Sequence, residues 1–188
     1  MKNAIIIHGM PGKDEYYSDK YPSASNFHWF PWLQKQLIIR DIKADTPEMP
    51  HAYNPQYDIW KREFERFDIT NETILVGHSC GGGFLIRWLS EHPEVKVGKV
   101  VLVAPWLDID REDTTDFFGF EIDSDLSSRT NGVIIFHSDN DEKSINDSVI
   151  KITAEVPGVN LRIFPGRGHF VDLSLTPSFP ELLEEILK

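Results

Sequence analysis

Apolar residues along this chain fall into two alternating patterns. Strands are predicted near Asn3 to His8, Thr73 to Val76, Lys99 to Val103, Gly132 to His137 and Asn160 to Phe164, most of them short apolar runs. A weaker run covers Asp41 to Ala44. Between these runs, apolar positions recur at helical spacing: Phe30, Leu33 and Leu37; Trp60, Phe64 and Phe67; Phe84, Leu85, Trp88 and Leu89; and Ile145, Val149, Ile152 and Val156. The third of these stops at His92-Pro93, because a residue before proline is driven out of helical backbone. A last helix is announced by Ser178-Phe179-Pro180-Glu181, which fits a capping box ahead of Leu182, Leu183, Ile186 and Leu187.

Strands that alternate with helices need crossover connections, which are right-handed, so the pattern predicts a mostly parallel sheet covered on both faces. The expected architecture is a three-layer α/β/α sandwich. A chain of 188 residues is expected to form a single domain over 1–188, with little room for a separate cap. In such sheets ligands bind beyond the carboxyl ends of the strands, so the residues after each run carry the candidate chemistry.

The run ending at Val76 enters Gly77-His78-Ser79-Cys80-Gly81, a Gly-x-Ser-x-Gly between a strand and a helix. There the serine sits on a sharp turn with its Oγ held outward, and glycines are needed where side chains would strike neighbouring backbone. Ser79 is therefore the candidate nucleophile. A blander reading makes Gly81 to Gly83 a close-packing surface and Ser79 a helix N-cap. The strand ahead and the helix behind favour the first.

Three other strand ends add to it. His8-Gly9-Met10 follows the first run, and the backbone N–H groups of Met10 and Cys80 are the candidate oxyanion hole. His8 is read as a hydrogen-bonding residue that orders this loop. Ser138-Asp139-Asn140-Asp141 follows the Gly132 to His137 run, with Asp141 the first choice for an acid that orients a histidine and Asp139 the alternative. Asp108 and Asp110 stand behind both. Gly168-His169-Phe170 follows the last strand, and His169, with an imidazole suited to taking and returning a proton, is the candidate base. The order Ser79, Asp141, His169 along the chain is the one that α/β-hydrolases show. His28, His51, His92 and His137 carry no such signal, and Trp29 and Trp32 read as core or pocket wall.

Composition narrows the partners. A formal net charge of −11 opposes nucleic acid and anionic membrane surfaces. The apolar run after Met1 is too short for a signal peptide or a membrane span, so a cytoplasmic protein is expected. Cys80 is the single cysteine, which rules out an internal disulfide and a cysteine-based zinc site. Its side chain is expected to turn away from the elbow with the helix.

The chain resembles the small, lid-poor α/β-hydrolase family of the retinoblastoma-binding protein 9 and YdeN type. The resemblance is carried by Ile5-Ile6-Ile7-His8-Gly9, Trp29-Phe30-Pro31-Trp32-Leu33, Met49-Pro50, Trp60, Gly77 to Gly82, Ala104-Pro105, the Ser138 to Asp141 loop and Gly168-His169-Phe170. It implies an α/β-hydrolase fold with a minimal lid and cofactor-free hydrolysis of small esters or amides, with Ser79, Asp141 and His169 as nucleophile, acid and base. An acyltransferase or a non-catalytic binding protein would use the same frame. Two features depart from the family: Glu142, where proline commonly follows the acid, and a longer Met10 to His28 stretch. That stretch is expected either to border the site and select acyl or leaving groups, or to be a solvated insertion. Asp108 to Thr130 is expected to be a minimal cap or a packed surface loop.

Overall fold

The computed structural model of the chain describes residues 2–111, 114, 116–172 and 178–188. Its strands are β1 (Asn3–Ile7), β2 (Lys43–Asp45), β3 (Ile74–His78), β4 (Val100–Val103), β5 (Val133–Ser138) and β6 (Asn160–Phe164). Its helices are α1 (Lys13–Tyr16), α2 (Phe30–Ile38), α3 (Tyr57–Phe64), α4 (Cys80–Glu91), α5 (Lys143–Glu155) and α6 (Pro180–Leu187). The strands form one sheet in the order β2-β1-β3-β4-β5-β6, and every pairing is parallel.

β1, β3 and β4 are buried along their whole length, as strands covered on both faces must be. Rings of α3 and α4 pack together on one face, Phe64 lying 5.0 Å from Trp88 and 5.4 Å from Phe84. Right-handed crossovers put α2 on the opposite face, where α6 packs beside it. Trp29, directly ahead of α2, meets Phe179 there at 5.8 Å.

Apolar periodicity located each of these elements except α1, a single turn with no buried residue inside the Met10 to His28 stretch, and the other differences lie at element ends. β3 runs on through Gly77 and His78, which have no strand-like pattern of their own, because both pair with β4 at Leu102 and Val103. Phe67 falls beyond α3. The expected capping box at α6 does not form: the N-cap is Phe179, with no side-chain cap bond. Phe179 is fully buried against Phe136 and Phe170, so core packing and not capping sets where this helix starts.

From β1 the chain crosses to β2 on one side, while later strands are added from β3 on the other. The gap between the carboxyl ends of β1 and β3 is therefore the switch point of the sheet, where a crevice must open.

Candidate active site

Ser79 stands at that crevice with φ 53° and ψ −123°, a conformation that non-glycine residues rarely adopt. Such strain costs about 1–3 kcal/mol and persists only where the surroundings enforce it. Here the Ser79 N–H donates to Val103 O at 2.9 Å, while its carbonyl accepts from Gly82, Gly83 and Trp106 N–H at 2.9, 3.2 and 3.0 Å. Ser79 occupies the N-cap position of α4, yet its hydroxyl makes no capping bond. The glycines of the motif are sterically required. A Cβ on Gly77 would lie 2.7 Å from Gly81 O, and one on Gly81 would run into the carbonyls of Ile7 and His8. Both ideas about these glycines thus hold: they shape the turn and seat α4 on β1.

Gly9, from the loop after β1, comes so close that a Cβ there would lie 3.0 Å from the Ser79 Cβ. His8 holds this loop. Met49 N–H donates to His8 Nε2 at 2.9 Å, so the ring proton is on Nδ1, which donates to Gly9 O at 2.7 Å. Burial lowers the His8 pKa, with Glu48 opposing, and the ring stays neutral. Because Gly9 O and Met10 N–H belong to one peptide plane, fixing the carbonyl fixes the N–H on the opposite side. Neither Met10 N–H nor Cys80 N–H donates to any other described residue. Cys80 is fully buried, and burial pushes its thiol well above the ordinary range, which keeps it protonated.

His169 Nδ1 lies 3.1 and 3.2 Å from the two carboxylate oxygens of Asp141. The Asp141 side chain is 0% exposed against 28% for His169, so a sequestered carboxylate faces an accessible imidazole. Asp139 points elsewhere. Its Oδ1 accepts Gly166 N–H at 2.8 Å, while Asn140 Oδ1 takes Gly168 N–H at 2.8 Å and Ser138 Oγ takes Arg167 N–H at 2.9 Å. The β5 loop therefore grips the β6 loop through three consecutive side chains and presents the fourth to His169. Asp108 is committed to Thr114, accepting its N–H and its hydroxyl at 2.6 Å each, and Asp110 is exposed.

Two further residues hold the histidine loop and were not singled out for this from the sequence. His78 Nε2–H donates to His169 O at 2.9 Å, and Trp29 Nε1–H donates to Phe170 O at 3.1 Å. Complete burial, reinforced by the nearby His169, drives the His78 pKa well below its ordinary value. A histidine at the variable position of Gly-x-Ser-x-Gly carries no signal of its own, since only the fold brings the β6 loop over it.

Ser79, His169 and Met10 line one cavity of about 530 Å3. The Met10 to His28 segment forms much of its wall and is docked on the body, Ser25 N–H donating to Glu48 Oε2 at 2.9 Å and Tyr17 to the Tyr53 hydroxyl at 3.0 Å. None of the described residues of the 108–130 stretch lines this cavity. Phe117 and Phe118 bury themselves in the core instead, so it is a packed surface segment. Among the described residues no three His, Cys, Asp or Glu side chains gather as a metal site, and no helix is long and apolar enough to cross a membrane.

A parallel six-stranded sheet with a serine on a strained strand-to-helix turn at its switch point is the α/β-hydrolase fold. The chain belongs to the serine hydrolase family, whose model matches residues 19–185. It is 33% identical over 107 residues to YdeN of Bacillus subtilis (strain 168), a match that covers 55% of this chain and spans half the length of that relative. The crystal structure of the B. subtilis ydeN gene product is similar over 100% of this chain and 97% of its own, with a TM-score of 0.83 and 21% identity. Est1E from Butyrivibrio proteoclasticus has a TM-score of 0.62 at 16% identity, covering 98% of this chain and 84% of its own. A pyrethroid hydrolase from Sphingobium faniae JZ-2 has 0.63 at 15%, covering 99% and 96%.

Proposed function

We propose that this protein hydrolyses small carboxylic esters or amides through an acyl-enzyme on Ser79. Ser79 Oγ attacks the substrate carbonyl carbon as its proton passes to His169 Nε2. That nitrogen is the basic one because Nδ1–H is directed at Asp141. The carbonyl oxygen becomes an oxyanion that takes hydrogen bonds from Met10 and Cys80 N–H. Its collapse breaks the bond to the leaving group, which departs with the proton from His169. Water then attacks the acyl-enzyme, giving a proton to His169, and the second collapse returns that proton to Ser79 and frees the carboxylic acid.

The observation that carries this reading is the Asp141–His169 pair at 3.1 Å, whose histidine lines the same cavity as Ser79. A serine kept only for helix capping would explain neither the strained turn nor the buried carboxylate behind the imidazole. The test is fluorophosphonate labelling together with hydrolysis of p-nitrophenyl esters from acetate to decanoate, comparing wild type with Ser79→Ala. Labelling and turnover that vanish in the variant are expected. Equal turnover in Ser79→Ala would reject the assignment, and failure of wild type to label or to turn over any ester or amide would favour a binding role.

A further inference from the structure

The cavity beside Ser79 is large enough for a small ester or amide with a short substituent. Helix α1 lies in the Met10 to His28 segment and brings Glu15 to its wall. No lysine or arginine lines the cavity. Among the described residues, no cation or hydrogen-bond donor meets the Glu15 carboxylate. Of the four histidines in the wall, burial lowers the pKa of His8 and His28 and drives that of His78 well down, while His169 faces its own carboxylate, Asp141.

Aromatic rings share this cavity with the carboxylate. Tyr21 and Phe27 line the same cavity, their rings 6.3 Å apart edge to face, and Phe27 stacks on His28 at 3.9 Å. Tyr16, next to Glu15 in α1, belongs to a cluster with Tyr17 and Tyr53 at 4.9 to 5.2 Å. An unpaired carboxylate among π faces is the chemistry that holds an organic cation, since each attracts positive charge and both gain as water is excluded. A formal net charge of −11 adds a field of the same sign.

We infer that this site selects esters or amides that carry a positively charged amine, with Glu15 as the specificity-determining residue and Tyr21 and Phe27 as the adjoining faces. The inference rests on Ser79 being the acylated nucleophile. A cationic substrate supplies the counter-ion that Glu15 lacks, a neutral one leaves it unpaired, and an anionic one is repelled.

The test compares isosteric pairs that differ only in charge: butyrylcholine against 3,3-dimethylbutyl butyrate, and the p-nitrophenyl esters of 4-(trimethylammonio)butanoate and 5,5-dimethylhexanoate. In wild type at low salt, the cationic member of at least one pair is expected to show a kcat/KM about tenfold higher. Glu15→Gln should remove that excess and Glu15→Lys reverse it, with thermal unfolding and fluorophosphonate labelling of Ser79 reporting that each variant is folded. Equal rates in both pairs, or a preference that survives Glu15→Gln, would overturn the inference and leave the hydrolase reading standing. No turnover of any of the four esters, with no fluorophosphonate labelling of Ser79, would overturn both.

Discussion

His78 Nε2 donates to the backbone carbonyl of His169 at 2.9 Å, so the residue directly ahead of the proposed nucleophile holds the loop that carries the proposed base. The two rings lie 4.8 Å apart. This contact ties the end of β3 to the loop after β6 across most of the sheet, and His78→Phe keeps the ring's bulk but loses the donor. Leaving the His169 carbonyl unpaired should cost about 1–3 kcal/mol. Displacing the imidazole should lower kcat roughly tenfold or more. Urea unfolding and ester kinetics on one preparation check both numbers.

The two acids of the β5 loop should separate cleanly. Asp141→Asn removes the carboxylate that faces His169 Nδ1 and is expected to lower kcat by about four orders of magnitude with the fold retained. Asp139→Asn affects only the bond to Gly166 N–H, so it should cost about 1 kcal/mol of stability and far less activity. The reverse ranking in kcat would move the acid to Asp139.

His8 is a positioning residue for the proposed oxyanion hole. His8→Leu removes the donor to Gly9 O and frees the Gly9–Met10 peptide to rotate. Losing one well-placed oxyanion donor costs about 2.7–4 kcal/mol in barrier. The expected result is therefore a kcat reduced by about two orders of magnitude with KM little changed. A larger change in KM than in kcat would assign His8 to substrate binding.

Ser79 stores strain that a glycine would release. Ser79→Ala keeps the unfavourable φ of 53°, whereas Ser79→Gly does not, so the glycine variant should be the more stable of the two inactive proteins by about 1 kcal/mol. Thermal unfolding of the pair, side by side, measures the difference.

Burial lowers the pKa of His8, His28 and His78 in the folded state. The unfolded chain therefore binds more protons below the ordinary imidazole pKa, so this contribution to stability is complete above about pH 6.5 and is lost as pH falls. Stability should decline from roughly pH 7 toward pH 5, by up to about 1.4 kcal/mol per pH unit for each histidine that charges only on unfolding. Asp123 and Glu185, whose pKa values are lowered, act only further down in the carboxylate range. Denaturant midpoints across this window, for wild type and His78→Phe, should show a shallower slope in the variant.

Much of the sheet could be read from local pattern because parallel strands buried on both faces need continuous Ile, Val and Leu, and their crossover helices need a 3.6-residue period. The elbow was legible for a similar reason: Gly77 and Gly81 answer a backbone constraint that no other residue meets. Order along the chain nominated Ser79, Asp141 and His169, since it reflects the sequence in which strands are laid into the sheet. The start of α6 was misread at Ser178, where local capping preference yielded to burial of Phe179.

Other features depend on contacts between segments far apart in the chain. Asp139 and Asp141 are both loop acids, ranked from the sequence with Asp141 first, and what separates them in space is that Gly166 N–H meets one while His169 meets the other. His78 and Trp29 act through backbone carbonyls, which leave no mark in a residue pattern. Glu15 reads as one acid among many until α1 docks and brings it to the cavity wall. The sequence by itself determined the layers, the turn and the residue types able to do the chemistry, because these follow from periodicity and local sterics. The tertiary structure alone decided which of them face one another, because that depends on where the loops at the carboxyl ends of β1, β3, β5 and β6 converge.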